Sequence, residues 1–66
     1  MESVKISLAA ARVNAGLTQS DVAEKLGVTK QTILDWEKGR SEPKVSQAIE
    51  MSELFNMPLS AIFFNY

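Results

Sequence analysis

"QSDVAEKLGVTKQTILDWEKGR", residues 19–40, sets two short helical patterns on either side of one glycine, and its reading decides the fold. Thr18, just ahead of it, is placed to N-cap the first pattern, with Asp21 three residues on as a capping-box partner. Leu17 before that cap and Val22 four residues after it form a hydrophobic staple, which fixes the angle at which the chain joins the helix. Val28, Thr29 and Ile33 repeat the same relation, so another helix begins about three residues after the previous one ends near Leu26. Gly27 lies between them. A connection this short must reverse the chain without a Cβ clash, so Gly27 is expected at positive φ and the two helices are expected to cross steeply.

Working outward, Val4, Leu8, Ala11 and Ala15 recur at helical spacing ahead of Gly16, which predicts a first helix over about residues 3–15. The third helix is expected to run to Lys38 and stop at Gly39, before a loop, "RSEP", closed by Pro43. Val45, Ala48, Ile49, Ser52 and Phe55 mark a fourth helix that Asn56 can end. Pro58 opens a short fifth turn carrying Leu59, Ile62 and Phe63. No segment alternates with period two over a useful length, so no strands are expected. No repeat, linker or low-complexity tract breaks the chain, and residues 1–66 read as a single domain.

At 66 residues the chain is near the lower size at which one core holds unaided. With no Cys and no His there is no disulfide framework and no thiolate or imidazole metal site, so apolar packing must supply the stability. A hydrophobic fraction of 45% is sufficient for that, and 23% charged residues is ordinary for a globular domain. No apolar run approaches the roughly 18 residues of a membrane span, nor does the N-terminus have the layout of a signal peptide; an intracellular protein is expected. Neither a Gly-rich phosphate loop nor paired acids in an evident cleft offers a reaction, and no enzyme, metal, cofactor or small-molecule ligand is expected.

The net charge of −1 argues by itself against a polyanionic partner, but the distribution argues the other way. Residues 25–44 carry five basic and three acidic groups, whereas residues 45–66 carry two acids and no base. At about 100° per residue, Thr29, Ile33 and Trp36 share one side of the third helix, while Gln31, Leu34, Asp35 and Lys38 lie opposite, flanked by Lys30 at the first turn. That side reads as core, Trp36 included. The outer face of one amide, one acid and two amines matches the hydrogen-bonding groups of base edges and phosphates, and it is equally a composition found on solvated helix faces.

The whole chain resembles the phage-repressor and Cro-like, or XRE-like, helix-turn-helix family. "GLTQSDVAEKLGVTKQTILDWEKGRSEP" is similar to that family's motif almost position by position, and "VSQAIEMSELFNMPLSAIFF" resembles its fourth helix and closing turn. The resemblance implies an all-α fold: a compact five-helix lambda-repressor-like domain with the helix-turn-helix at helices 2 and 3. It also implies a sequence-specific binder of double-stranded DNA in the cytoplasm of a prokaryotic cell or phage-infected host, a repressor-type transcriptional regulator whose recognition helix, about residues 29–38, lies in the major groove.

Roles follow from the same resemblance. Gln19 matches a glutamine that bonds a DNA phosphate and braces the recognition helix. Lys30, Gln31 and Asp35 match base-reading positions, able to pair with guanine, adenine and the N4 amine of cytosine respectively. Leu34 can touch a thymine methyl or pack at the helix edge. Lys38, Arg40 and Lys44 surround the loop where backbone contacts fall, with Thr29 and Thr32 as caps and secondary phosphate contacts. Arg12 and Glu37 match positions that form a structural ion pair. Ile6 and Val13, seven apart on helix one, and the aromatics Phe64 and Tyr66 leave apolar surface for a homodimer on a pseudo-palindromic site. Net acidity, Asp35 and Leu34 support an alternative, a protein-interaction module that keeps this fold without binding DNA.

Overall fold

The computed structural model describes residues 5–63, Phe63 by its backbone. Four α-helices follow in order: α1 (Leu8–Asn14), α2 (Gln19–Leu26), α3 (Lys30–Lys38) and α4 (Val45–Leu54). A single 3-10 turn, Leu59–Ala61, stands where the fifth helix is expected. Two short strands, β1 (Ile6–Ser7) and β2 (Ile62–Phe63), pair in parallel with Ile6 opposite Ile62. The fold is all-α in class, and this two-residue ladder corrects the expectation of no strands. Pairing so short has no periodicity to read, yet it fastens the start of α1 to the closing turn.

Local chemistry sets each helix boundary. The helix expected over 3–15 begins at Leu8, because Ser7 adopts extended backbone and its Oγ accepts from the Ala10 N–H at 3.1 Å. Val4 lies outside the described residues. At α2 the capping box is complete: the Thr18 N–H donates to Asp21 Oδ2 at 2.8 Å, and the Asp21 N–H to Thr18 Oγ1 at 3.0 Å. At α3, Thr29 Oγ1 accepts from the Thr32 N–H at 3.1 Å. At α4 the backbone N–H of Lys44 donates to Gln47 Oε1 at 2.8 Å.

All four helices end alike. Gly16, Gly27, Gly39 and Asn56 take positive φ, and the next N–H reaches back to a carbonyl of the last turn: Val28 to Ala23 at 3.0 Å, Arg40 to Asp35 at 2.9 Å, Met57 to Ser52 at 2.9 Å and Leu17 to Arg12 at 3.2 Å. Gly27 sits at φ +70° with nothing within 4 Å of where a Cβ would be, so backbone conformation rather than crowding calls for glycine there. Asn56, at φ +54°, is the non-glycine residue best suited to the left-handed cap.

These turns bring the apolar stripes together. Leu8 and Ala11 of α1, Val22 and Ala23 of α2, Ile33 and Trp36 of α3, Met51 of α4 and Phe55 just after it form one core that Ile62 closes. Leu17 and Val28, the staple residues, are half-buried against it. On α4 the expected stripe needs correction: Ala48, Met51, Ser52 and Phe55 are buried, while Val45 and Ile49 are 69% and 43% exposed. Ser52 is satisfied in the core by donating its hydroxyl to the Ile49 carbonyl at 2.7 Å.

The Thr18 backbone N–H, and then its side chain, hold the Asp21 carboxyl below its usual 3.8. A group whose folded-state pKa is lowered contributes stability that is present above its unfolded value and lost as pH falls through the folded one. Parent and Asp21→Asn should therefore differ in Tm near neutral pH, the parent being higher, and converge as pH falls below 3.8. Circular dichroism melts across that range check this; a difference that stays constant with pH would show that ionisation of Asp21 contributes nothing.

Candidate nucleic-acid interface

The site is built from the inside. Arg12, in the last turn of α1, points its guanidinium at Glu37 of α3: Nε donates to Oε2 at 2.6 Å and Nη2 to Oε1 at 3.4 Å. Nη1 turns the other way and donates to the Leu17 carbonyl at 2.8 Å, across the connection from α1 to α2. Gln19, the first residue of α2, donates from Nε2 to Glu37 Oε1 at 3.0 Å. Three helices thus converge on one carboxylate. The two charged side chains retain only 14% and 6% of their exposure, so their desolvation must be offset by these bonds, and a planar guanidinium facing both carboxylate oxygens is the geometry that does so.

With its inner side fixed by Ile33, Trp36 and Glu37, α3 turns the remaining residues outward. Lys30, Gln31 and Lys38 are exposed, and Leu34, Asp35 and Thr32 are half-buried at the edges of that face. Gln31 Nε2 donates to Asp35 Oδ1 at 3.0 Å, one turn on. Arg40, in the loop past Gly39, brings Nη1 to 3.6 Å from the same oxygen; its side chain is 61% exposed and that of Asp35 30%. A Gln–Asp pair at this spacing adds about 0.2–0.5 kcal/mol to a helix, and an exposed ion pair about 0–1 kcal/mol. These contacts contribute little to folding. They set where the side chains point.

Thr29 and Thr32 stand together at the start of α3, their hydroxyl oxygens 2.9 Å apart, with Thr29 engaged as the cap. Lys44 is exposed at the start of α4. The residues expected to meet DNA therefore fall into four groups: Gln31, Asp35 and Arg40 linked on the outer face with Leu34 half-buried at its edge, Lys30, Lys38 and Lys44 exposed around it, the Thr29–Thr32 pair at the start of α3, and Gln19 half-buried behind it. The resemblance implies a phosphate contact and a bracing role for Gln19 but no partner for the brace; that partner is Glu37. The Gln31–Asp35 bond is not among the sequence expectations, and its only signal is the i, i+4 spacing. Away from this face, a shallow groove of about 350 Å³ between α2 and α4 is lined by Lys25, Leu26, Glu50, Glu53 and Leu54.

Residues 8–62 match the helix-turn-helix family. The chain belongs to that family, in its XRE-type, phage-repressor-like branch. Relatives agree. An uncharacterised HTH-type transcriptional regulator of Methanocaldococcus jannaschii is 43% identical over 47 residues, 71% of each chain. One of Archaeoglobus fulgidus is 35% identical over 52 residues, covering 79% of this chain and 74% of that one. The cryptic phage CTXphi transcriptional repressor RstR of Vibrio cholerae is 33% identical over 51 residues, 77% of this chain and 46% of RstR. In this helix-turn-helix domain, α2 and α3 are the motif helices and Gly27 is in the turn.

Removal of Arg12 leaves the Glu37 side chain, 6% exposed, with Gln19 as its remaining side-chain partner among the described residues. Arg12→Ala should destabilise the domain by roughly 3–5 kcal/mol, read from urea unfolding, and Arg12→Met combined with Glu37→Leu should recover most of that loss because two apolar side chains leave no charge unpaired. A loss below about 1 kcal/mol for Arg12→Ala would mean that the pair behaves as an exposed one.

Proposed function

We propose that this domain binds double-stranded DNA sequence-specifically and regulates transcription by occupying its site, as a repressor, with α3 in the major groove. The observation that carries this reading is a rigidly backed helix presenting an amide and cations outward: α3 is anchored by the buried Arg12–Glu37–Gln19 cluster while Lys30, Gln31, Lys38 and Arg40 remain accessible. A groove-reading helix needs that combination, because base discrimination depends on side chains held in register with the base edges. The relatives' names as HTH-type transcriptional regulators, and RstR's as a repressor, support the same conclusion.

Gln31 at the first turn of α3 has the one donor and one acceptor that adenine's edge requires, Lys30 beside it can donate to guanine, and Leu34 can cover a thymine methyl. Lys38, Arg40 and Lys44 follow the helix into and beyond the exit loop, where they meet phosphates, with Thr29, Thr32 and the N-terminus of α2 at Gln19 supplementing them. The mechanism is occupancy, without catalysis. Its place of action is DNA in the cytoplasm; among the described residues no helix is long and apolar enough to cross a membrane.

A homodimer on a pseudo-palindrome, with half-sites about one helical turn apart, is part of this proposal. The apolar surface that supports it differs from that expected. Ile6 is half-buried against the core and pairs with Ile62, so it offers only part of its side chain; Val13 and Val45 are 61% and 69% exposed, and Ile49 and Leu59 43% and 40%. Phe64 and Tyr66 lie outside the described residues.

Reading and holding can be separated by substitution. Gln31→Ala should cost roughly 1–3 kcal/mol on the preferred site and relax the preference at one base pair. Arg40→Ala should weaken binding to all duplexes alike and flatten the slope of log affinity against log salt by about 1. Fluorescence anisotropy with a site selected from a random duplex pool, and with unrelated duplex, measures both. If each variant binds every duplex as the parent does, α3 does not read DNA and the domain is a protein-interaction module on this fold.

A further inference from the structure

We infer that Asp35 is a positioning residue that fixes the polarity of the Gln31 amide and thereby makes α3 prefer adenine over guanine at the base Gln31 meets. The inference rests on the reading of α3 as the DNA-contacting helix and deepens it. Asp35 stands out as an acid in the middle of a face otherwise built of cations and an amide, where it opposes attraction to phosphates. Its carboxylate is nevertheless held in a defined place, accepting from Gln31 Nε2 at 3.0 Å and lying 3.6 Å from Arg40 Nη1 through the same Oδ1.

An ionised carboxylate accepts hydrogen bonds and donates none. Only the nitrogen end of the Gln31 amide can face it, so the amide cannot rotate by half a turn without placing Oε1 against Oδ1. One of the two N–H bonds of Nε2 is thereby committed to Asp35. What remains for a base is one N–H donor and the Oε1 acceptor. In the major groove adenine presents an acceptor at N7 and a donor at N6, a match to that pair. Guanine presents two acceptors, N7 and O6, and would require a second donor. A glutamine free of Asp35 could turn both N–H bonds toward guanine; Gln31 in this arrangement cannot. Asp35 therefore gives up some general affinity for phosphate and gains base discrimination.

This has a two-sided signature. Asp35→Ala removes an acid from the face and releases both Gln31 and Arg40, so binding to random duplex should tighten, while the ratio of affinities for adenine and guanine at the position relaxed by Gln31→Ala should fall by about fivefold or more. The measurement is anisotropy at fixed salt with a site selected on the parent and its single adenine-to-guanine exchange at that position, with circular dichroism melts showing that Asp35→Ala folds as the parent does. A charge-only role predicts tighter binding to both duplexes by the same factor; an unchanged adenine-to-guanine ratio would therefore overturn the inference while leaving the DNA-binding reading intact. So would a parent site with guanine at that position. A parent without any sequence preference removes the reading itself, and the inference with it.

Discussion

The placement of α3 depends on the carboxylate of Glu37. It receives Arg12 from α1 and Gln19 from α2, and the same guanidinium reaches the Leu17 carbonyl in the connection between those helices. Apolar contacts alone bring α3 into the core through Ile33 and Trp36, but such contacts are non-directional and tolerate small rotations of the helix about its axis. Hydrogen bonds to a buried charge do not. A rotation that carries Glu37 out of reach leaves both it and Arg12 desolvated and unpaired, at a cost of several kcal/mol. The pair therefore contributes most as a register lock, setting which residues of α3 face outward.

Much of the architecture is legible in the sequence because it is written in local devices. Thr18 with Asp21, Thr29 alone, and the left-handed residues Gly27, Gly39 and Asn56 fix the helix ends within a turn of where reading places them. What escapes is non-local or ambiguous. The Ile6–Ile62 pairing joins residues far apart in sequence through strands of two residues each, with no pattern to betray it. On α4 two apolar stripes compete, Val45 with Ile49 and Ala48 with Met51 and Phe55, and only the packing of neighbouring helices selects the second. At the site, the facing of α3 follows from its helical period, with Trp36 inward and Gln31 outward. The partnership of Arg12 with Glu37 comes from family resemblance, since 25 residues of separation carry no spacing rule. The bond of Gln19 to Glu37 has no local signal at all.

Net charge is the feature of this sequence that most misleads. A value of −1 describes the chain as a whole, whereas a phosphate near the surface responds to charges within a screening length, about 8 Å at physiological salt. Of the acids between residues 25 and 44, Glu37 is buried and neutralised by Arg12, a cation from outside that segment. The C-terminal acids Glu50 and Glu53 belong to α4 and line the groove against α2 rather than the outer face of α3. α3 and its exit loop present Lys30, Lys38 and Arg40, opposed by the exposed Glu42 in the loop and, on α3's outer face itself, by Asp35.

That opposing charge is where folding and recognition separate. The buried cluster needs its acid for the helix to stand in place, and removing either partner damages the fold. Asp35, half-buried and weakly paired, is nearly neutral for folding: a carboxylate that accepts one amide bond and joins one loose ion pair adds little to stability. A residue that is unfavourable for phosphate attraction and nearly indifferent for folding has its effect on the orientation of its neighbours. Gln31 and Arg40 are those neighbours, one an amide with a donor end and an acceptor end and the other a cation beside the exit loop, so Asp35 is best understood through what it constrains them to do.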